Sequence, residues 1–193
     1  QPLQMKDSRY LPLDKPSQDV AYIQRIAPTE NLKGDVDYQK LLPNYALPYL
    51  HAVVHDPTAL RLGGVAGHAG VFGTADDLAL FAQMLLNGGE LKGQRVLSPL
   101  AVQRVLTPVV IGNQSRALGW DMQTGYSAPK GDLMPTGSFG HTGFTGTSIW
   151  LDPASRTYII LLSNRVHPNR TTSITDLRAK LANIVASGIR PLN

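Results

Sequence analysis

The sequence predicts an α+β fold, an antiparallel sheet flanked by helices, from three observations. Two capped amphipathic helices fall between Thr74 and Thr107, three β-rich runs follow Ala117, and a final apolar-striped segment ends at Gly188. The first helix starts at Thr74-Ala-Asp-Asp77, a hydroxyl followed three residues later by a carboxylate. Leu78, Phe81, Met84 and Leu85 recur at helical spacing, and Asn87-Gly88-Gly89 ends the run. Ser98-Pro99 opens a short second helix with the stripe Val102, Val105 and Leu106, ending near Thr107-Pro108.

The strand runs are Leu118 to Met122, Thr147 to Leu151 and Thr157 to Ser163. Asp152-Pro-Ala-Ser155 is too short for a crossover, so the last two runs form an antiparallel hairpin. The closing helix is expected from a capping box at Ser173-x-x-Asp176, with Ile174, Leu177, Leu181, Ile184 and Val185 on one face. Three strands make a thin sheet, and this one helix is expected to cover one of its faces. The segment Ala27 to Gly73 holds ten Pro or Gly residues, with turn signals at Asn31, Lys33-Gly34 and Asn44. So long an irregular stretch either wraps another body or lines a functional site.

Composition narrows the function classes. The 193 residues suit a single-domain length, 42% are hydrophobic and 17% charged, and no stretch approaches a membrane span. The net charge of +4 comes from scattered cations, so nucleic acid is not an expected partner. The absence of cysteine excludes disulfides, thiolate metal sites and cysteine nucleophiles. His51-x-x-x-His55-Asp56 with His68 offers metal donors, but Pro48 and Pro57 bracket a segment of barely two turns with no general-base glutamate between the histidines. These histidines are expected to satisfy backbone groups, and neither a metal nor a cofactor is expected.

Chemistry concentrates in Ser138-Phe-Gly-His-Thr-Gly-Phe-Thr-Gly-Thr147, where glycines alternate with hydroxyl, aromatic and imidazole groups before an apolar strand. His141 offers an imidazole, and the backbone N–H groups around Gly143 and Phe144 offer donors to an anionic oxygen. A glycine-rich hairpin edge with a solvated histidine is the plainer alternative.

His141-Thr142-Gly143, followed by a strand, an Asp-Pro turn and a second strand ending Leu-Leu-Ser-Asn164, resembles the serine β-lactamase and penicillin-binding-protein superfamily. The likeness is to class C β-lactamases and related esterases and D-amino-acid peptidases. The family's third motif is Lys-Thr-Gly, and some of its branches carry His in place of Lys, as here. The resemblance extends over Gly63 to Leu78, over the Asn164-Arg-Val-His-Pro-Asn169 turn, and over Met5-Lys-Asp-Ser-Arg9, which is similar to a segment following the family's second motif.

What the resemblance implies is a β-lactamase/transpeptidase-like fold, present as an incomplete C-terminal half. Residues 1–110 would belong to the helical region and cleft-lining loops, and residues 111–193 to the C-terminal part of the α/β region. The implied reaction is acyl transfer through a serine on ester, amide or D-amino-acid peptide bonds. His141 would stand beside the nucleophile, Thr142 would contact substrate, Gly143 would allow close approach, and the Phe144 N–H would be an oxyanion donor. His68 would line the substrate cleft, its alternatives being a helix cap or a bond to a core carbonyl. Asn169 and Arg170, expected to begin the last helix, would meet a substrate carboxylate, with helix capping by Asn169 as the alternative.

The family's Ser-x-x-Lys nucleophile and Tyr-x-Asn motifs are not found in the expected order. Ser127-Ala-Pro-Lys130 fits the bare first pattern but is expected to be a chance match, because no helix-forming run follows it. None of the seven tyrosines has Asn or Asp two residues later. The chain alone is therefore expected to be inactive. Its expected partners are a small-molecule or peptide substrate and either the N-terminal half of the same enzyme or a self-associated copy. The alternative is a non-catalytic ligand- or peptidoglycan-binding module, and the location implied by resemblance is periplasmic or extracellular.

Overall fold

The computed structural model describes residues 2–31, 36–170 and 172–189, so the Lys33-Gly34 turn lies outside the described residues. The chain forms two compact units. One comprises Gln1–Met5, Ala75–Leu162 and Ser173–Asn193, and the other Lys6–Thr74 and Ser163–Thr172.

The second of these is built from short pieces. Strand β1 (Arg9–Tyr10) pairs antiparallel with β2 (Val71–Phe72), and between them lie α1 (Val20–Gln24), α2 (Val36–Leu41) and α3 (Pro57–Arg61). The Pro- and Gly-rich stretch is thus not helix-free. Asp19 caps α1 by accepting from the Tyr22 N–H, and Asp56 caps α3 by accepting from the Ala59 N–H at 2.7 Å, with Pro57 following the cap. Tyr38, Leu50, Val54, Ala59 and Leu60 form its core. Full burial of the Leu50, Val54 and Leu60 side chains stabilises by roughly 1.5–3 kcal/mol each, enough to hold elements too short to persist alone.

The sheet unit contains α4 (Ala75–Leu86), a small hairpin of β3 (Glu90–Leu91) and β4 (Gln94–Arg95), and α5 (Pro99–Leu106). Strands β5 (Val109–Ile111), β6 (Gln114–Ala117), β7 (Trp120–Gln123), β8 (Phe139–Thr142), β9 (Ser148–Asp152) and β10 (Thr157–Leu161) follow, and α6 (Thr175–Ser187) closes it. The sheet has six strands in the order β10-β9-β8-β7-β6-β5, every neighbouring pair antiparallel. The three expected runs correspond to β7, β9 and β10. Strands β5, β6 and β8 are additions to that expectation: β5 is only three residues long, and β6 and β8 are interrupted by polar residues or Gly. The Asp152–Ser155 turn forms as expected, with the Asp152 carboxylate accepting from the Ser155 N–H at 2.9 Å and from its hydroxyl.

Both faces of the sheet are covered, which corrects the expectation of a single covering helix. Alternate residues of β9 part to opposite sides. Leu151, with Phe139 and Met122, packs against Ala82, Met84 and Leu85 of α4. Trp150, with Ile159, packs against Ala182 of α6.

Helix α6 departs from expectation in two further ways. Ser173 makes no capping box: its hydroxyl accepts from the Thr175 N–H, and Ile174 occupies the cap without a side-chain bond. The buried stripe is Arg178, Leu181, Ala182, Val185 and Ala186, while Leu177 is 53% and Ile184 69% exposed. The stripe is rotated because an arginine, not an aliphatic residue, faces inward.

Candidate active site

The glycine-rich segment is a strand and turn in the sheet unit. His141 and Thr142 lie on β8, opposite Ile149 and Ser148 of β9. Gly140 pairs with Trp150, and a Cβ there would run into the Trp150 indole and the Ile149 carbonyl, so only glycine lets the indole lie across the strand. The turn closes through the Gly143 N–H donating to the Thr147 carbonyl at 2.7 Å and the Gly146 N–H donating to the Gly143 carbonyl at 3.1 Å. At Gly143 a Cβ would meet the Thr147 hydroxyl, so any larger residue there would force the Thr147 side chain to move.

A buried cation holds the turn from behind. Arg178 of α6 donates from Nη2 to the Gly143 carbonyl at 2.9 Å and to the Thr147 carbonyl at 2.7 Å. The imidazole of His141 is exposed. Its Nδ1 donates to the Thr142 carbonyl at 2.9 Å, and Nε2 lies 3.4 Å from Nη2 of Arg116 on β6. A carbonyl accepts and a guanidinium donates, so both contacts together require the neutral Nδ1–H tautomer with its Nε2 lone pair toward Arg116. Phe144 presents its ring to solvent.

The motif Ser127-x-x-Lys130 folds as a 3₁₀ turn, Ala128–Lys130, rather than an α-helical N-terminus. Both residues are buried. The Ser127 hydroxyl accepts from the Thr124 N–H at 2.7 Å, while Lys130 donates to the Met122 carbonyl at 2.7 Å and to Gln123 Oε1 at 2.9 Å. Burial lowers the Lys130 ammonium pKa below its ordinary value, against the opposing pull of Asp121. The lysine is thus spent on fastening the end of β7.

His68, Asn169 and Arg170 belong to the other unit. His68 Nε2 contacts Asp56 Oδ1 at 3.0 Å, so the imidazole engages the residue that caps α3 rather than capping the following helix. Burial would raise the Asp56 pKa, but the Ala59 N–H, His68 and the Thr58 N–H outweigh it and hold this carboxyl below its ordinary value. Asn169 and Arg170 do not begin the last helix, which starts at Thr175; this corrects both the helix placement and the capping alternative for Asn169. Arg170 instead bonds the Glu30 carboxylate, its Nε 2.6 Å from Oε2.

Glu30 also meets His55 Nε2 at 2.7 Å, while His51 Nε2 contacts the Ile26 carbonyl and His167 Nδ1 the Thr29 carbonyl. These histidines thus have separate partners, and His55 and His68 meet carboxylates rather than the backbone groups expected for them. Residues Thr29 and Glu30, in the stretch where turns alone were expected, join Ser163–Thr172 to the rest of that unit.

A family model described as Beta-lactamase matches residues 1–184, and the chain belongs to that family. It is 33% identical over 170 residues to an N-acetylmuramyl-L-alanine amidase of Bacillus subtilis strain 168, covering 86% of this chain and 37% of that protein. It is also 33% identical over 147 residues to a protein of Escherichia coli K12 named provisionally as a D-alanyl-D-alanine carboxypeptidase, covering 75% of this chain and 34% of that protein. The chain thus spans about a third of the length of these curated relatives. Among solved structures, a β-lactamase from Mycobacterium bovis is similar with a TM-score of 0.49 and 22% identity, over 68% of this chain and 47% of that one.

Arg116 and Arg178 were not singled out by sequence reasoning. Arg116 lies two strands from His141, a relation that only sheet order reveals. Arg178 left a readable trace: three and four residues before Leu181 and Ala182, it falls on their helical face.

Proposed function

We propose that this chain is the C-terminal portion of a β-lactamase-family serine hydrolase that works through an acyl-enzyme on ester, amide or D-amino-acid peptide bonds, with its nucleophile supplied by an upstream segment. In that arrangement Lys6–Thr74 and Ser163–Thr172 contribute cleft-lining loops, and Ala75–Leu162 with Ser173–Asn193 contribute the sheet and its covering helices, so the boundary expected at residue 110 moves to residue 74 and the return at 163–172 joins the loop region. The observation that carries the reading is the β8 strand and its turn, with the His141 imidazole ahead of a glycine turn fastened by a buried guanidinium.

In the reaction, a serine hydroxyl adds to the substrate carbonyl, its proton passes to a base, and the leaving amine or alcohol departs with a proton; water then releases the acid. His141 hydrogen-bonds the substrate through Nε2 in exchange for its contact with Arg116, Thr142 meets the substrate, and the Gly143–Phe144 peptide offers the Phe144 N–H to the developing oxyanion. His68, Asn169 and Arg170 are proposed as further substrate contacts, Arg170 through its guanidinium charge. The names of the amidase and carboxypeptidase relatives support a peptidoglycan-derived substrate and a periplasmic or extracellular location.

A second reading, a ligand-binding module without catalysis, draws on the engagement of Lys130 away from Ser127. Incubation of the native protein with a fluorophosphonate serine probe, followed by intact-mass analysis, separates the two. An adduct on a serine upstream of this segment supports the hydrolase. Unlabelled protein that still binds muropeptides supports the module, and an adduct on Ser127 overturns both.

A further inference from the structure

The strongest unassigned feature is the buried guanidinium behind the β8–β9 turn. Arg178 spends one nitrogen on two carbonyls, those of Gly143 and Thr147, which are the ends of the turn. The Gly143 carbonyl belongs to the same planar peptide as the Phe144 N–H. In a trans peptide these groups point in opposite directions, so fixing the oxygen fixes the direction of the N–H. A charged donor on the oxygen also draws electron density from the peptide, which makes the N–H a stronger donor.

We propose that Arg178 is the positioning residue of the oxyanion site: bound to the Gly143 carbonyl from inside the protein, it aims and polarises the Phe144 N–H on the opposite side. This inference rests on the hydrolase reading for the role of that N–H, and on geometry alone for the hold on the peptide. Three further features support it. The guanidinium is buried, and hydrogen bonds between ionised and neutral groups are stronger in low dielectric. The turn already has its own closing bonds, Gly143 to Thr147 and Gly146 to Gly143, so the arginine is not needed merely to close it. Helix α6 has an independent anchor at its far end, where Asn183 Oδ1 accepts from the Asp132 and Leu133 N–H groups at 2.8 and 3.1 Å.

That second anchor makes the test selective. In the isotopically labelled 193-residue chain, Arg178→Met should move the Gly143 carbonyl carbon and the Phe144 amide proton upfield, leaving the Asp132 and Leu133 amides in place. Arg178→Lys, which keeps a charged donor, should recover part of both shifts. An unmoved Phe144 amide overturns the proposal, as do equal shifts at Asp132 and Leu133, which would make Arg178 a helix-docking residue only.

In the native protein carrying the nucleophile, Arg178→Lys should slow fluorophosphonate labelling by about a hundredfold or less, the scale of a misplaced reacting group, without weakening reversible ligand binding. Weakened binding with an unchanged labelling rate would contradict the role. Wild-type protein that is never labelled defeats the hydrolase reading, while the amide shifts still decide whether Arg178 governs the peptide.

Discussion

Arg116 and His141 stand on strands separated by β7, yet the guanidinium Nη2 reaches to 3.4 Å from the imidazole Nε2. The other ring nitrogen donates to the carbonyl of the next residue, so the imidazole is held at both ends. Nitrogen-15 spectra of the wild-type chain should show the Nδ1–H tautomer of His141. Arg116→Gln should introduce a mixture with the Nε2–H form. Dominance of the Nε2–H form in the wild type would contradict the arrangement, since that proton would point at a cation.

Gly140 and Trp150 are matched in shape. Gly140→Ala places a methyl group against the indole of a fully buried tryptophan, and overpacking of this kind costs about 1–3 kcal/mol. Urea denaturation should show the midpoint falling with little change in slope. Gly137→Ala, where a Cβ meets no neighbour but φ is positive, measures backbone strain without the packing clash. Equal losses at the two positions would remove the indole from the explanation.

Asp56 combines a helix cap with a contact to His68. Its folded pKa lies below the ordinary 3.8, so its contribution is fully present above that value and fades as pH falls through the lower folded value. Asp56→Asn should keep most of the cap and lose this acid-limb dependence, whereas Asp56→Ala should cost about 1 kcal/mol at neutral pH. The carboxylate is partly exposed, so the pH-dependent part should be small and reduced by salt. Acid titrations of stability for the three proteins check both parts, and an Asp56→Asn protein with an unchanged acid limb would rule out the carboxylate as its source.

Lys130 works in the opposite pH range. Its folded pKa is lowered from 10.5 by burial, so just below that value the unfolded chain holds a proton that the folded chain has released. Stability then rises with pH across this interval. Lys130→Met should abolish that rise, read as the difference between wild-type and variant denaturation midpoints through the alkaline range. A parallel pair of curves would show that the ammonium is not desolvated.

The regular elements with strong local signals were legible in the sequence. Helices α4 and α5 begin and end where Thr74, Ser98 and Thr107 indicate, because capping chemistry is local. The β9–β10 hairpin follows from Asp152-Pro153 for the same reason. Strand β8 has little strand patterning of its own and was indicated only through the family motif, because its residues, Phe-Gly-His-Thr, serve the turn and the indole as much as the ladder. The inward face of α6 was misplaced because Arg178 is buried for its bonds to the Gly143 and Thr147 carbonyls, which hydrophobic periodicity cannot register. Of the candidate site, the His141–Phe144 segment was visible from its composition. Its two arginines come from distant parts of the chain and became visible only through sheet order and helix packing.

The chain leaves the sheet unit after Leu162 and re-enters it at Ser173. Helix α6 is therefore a tethered ligand of the sheet, held there by side-chain contacts, with Ser163–Thr172 as the leash that sets its effective concentration. Cutting the leash would make docking of α6 bimolecular, so occupancy of the position behind the His141 strand would depend on dilution. A synthetic peptide spanning the last helix could then compete for that position, making this one stretch of backbone a point at which the turn could be switched from outside.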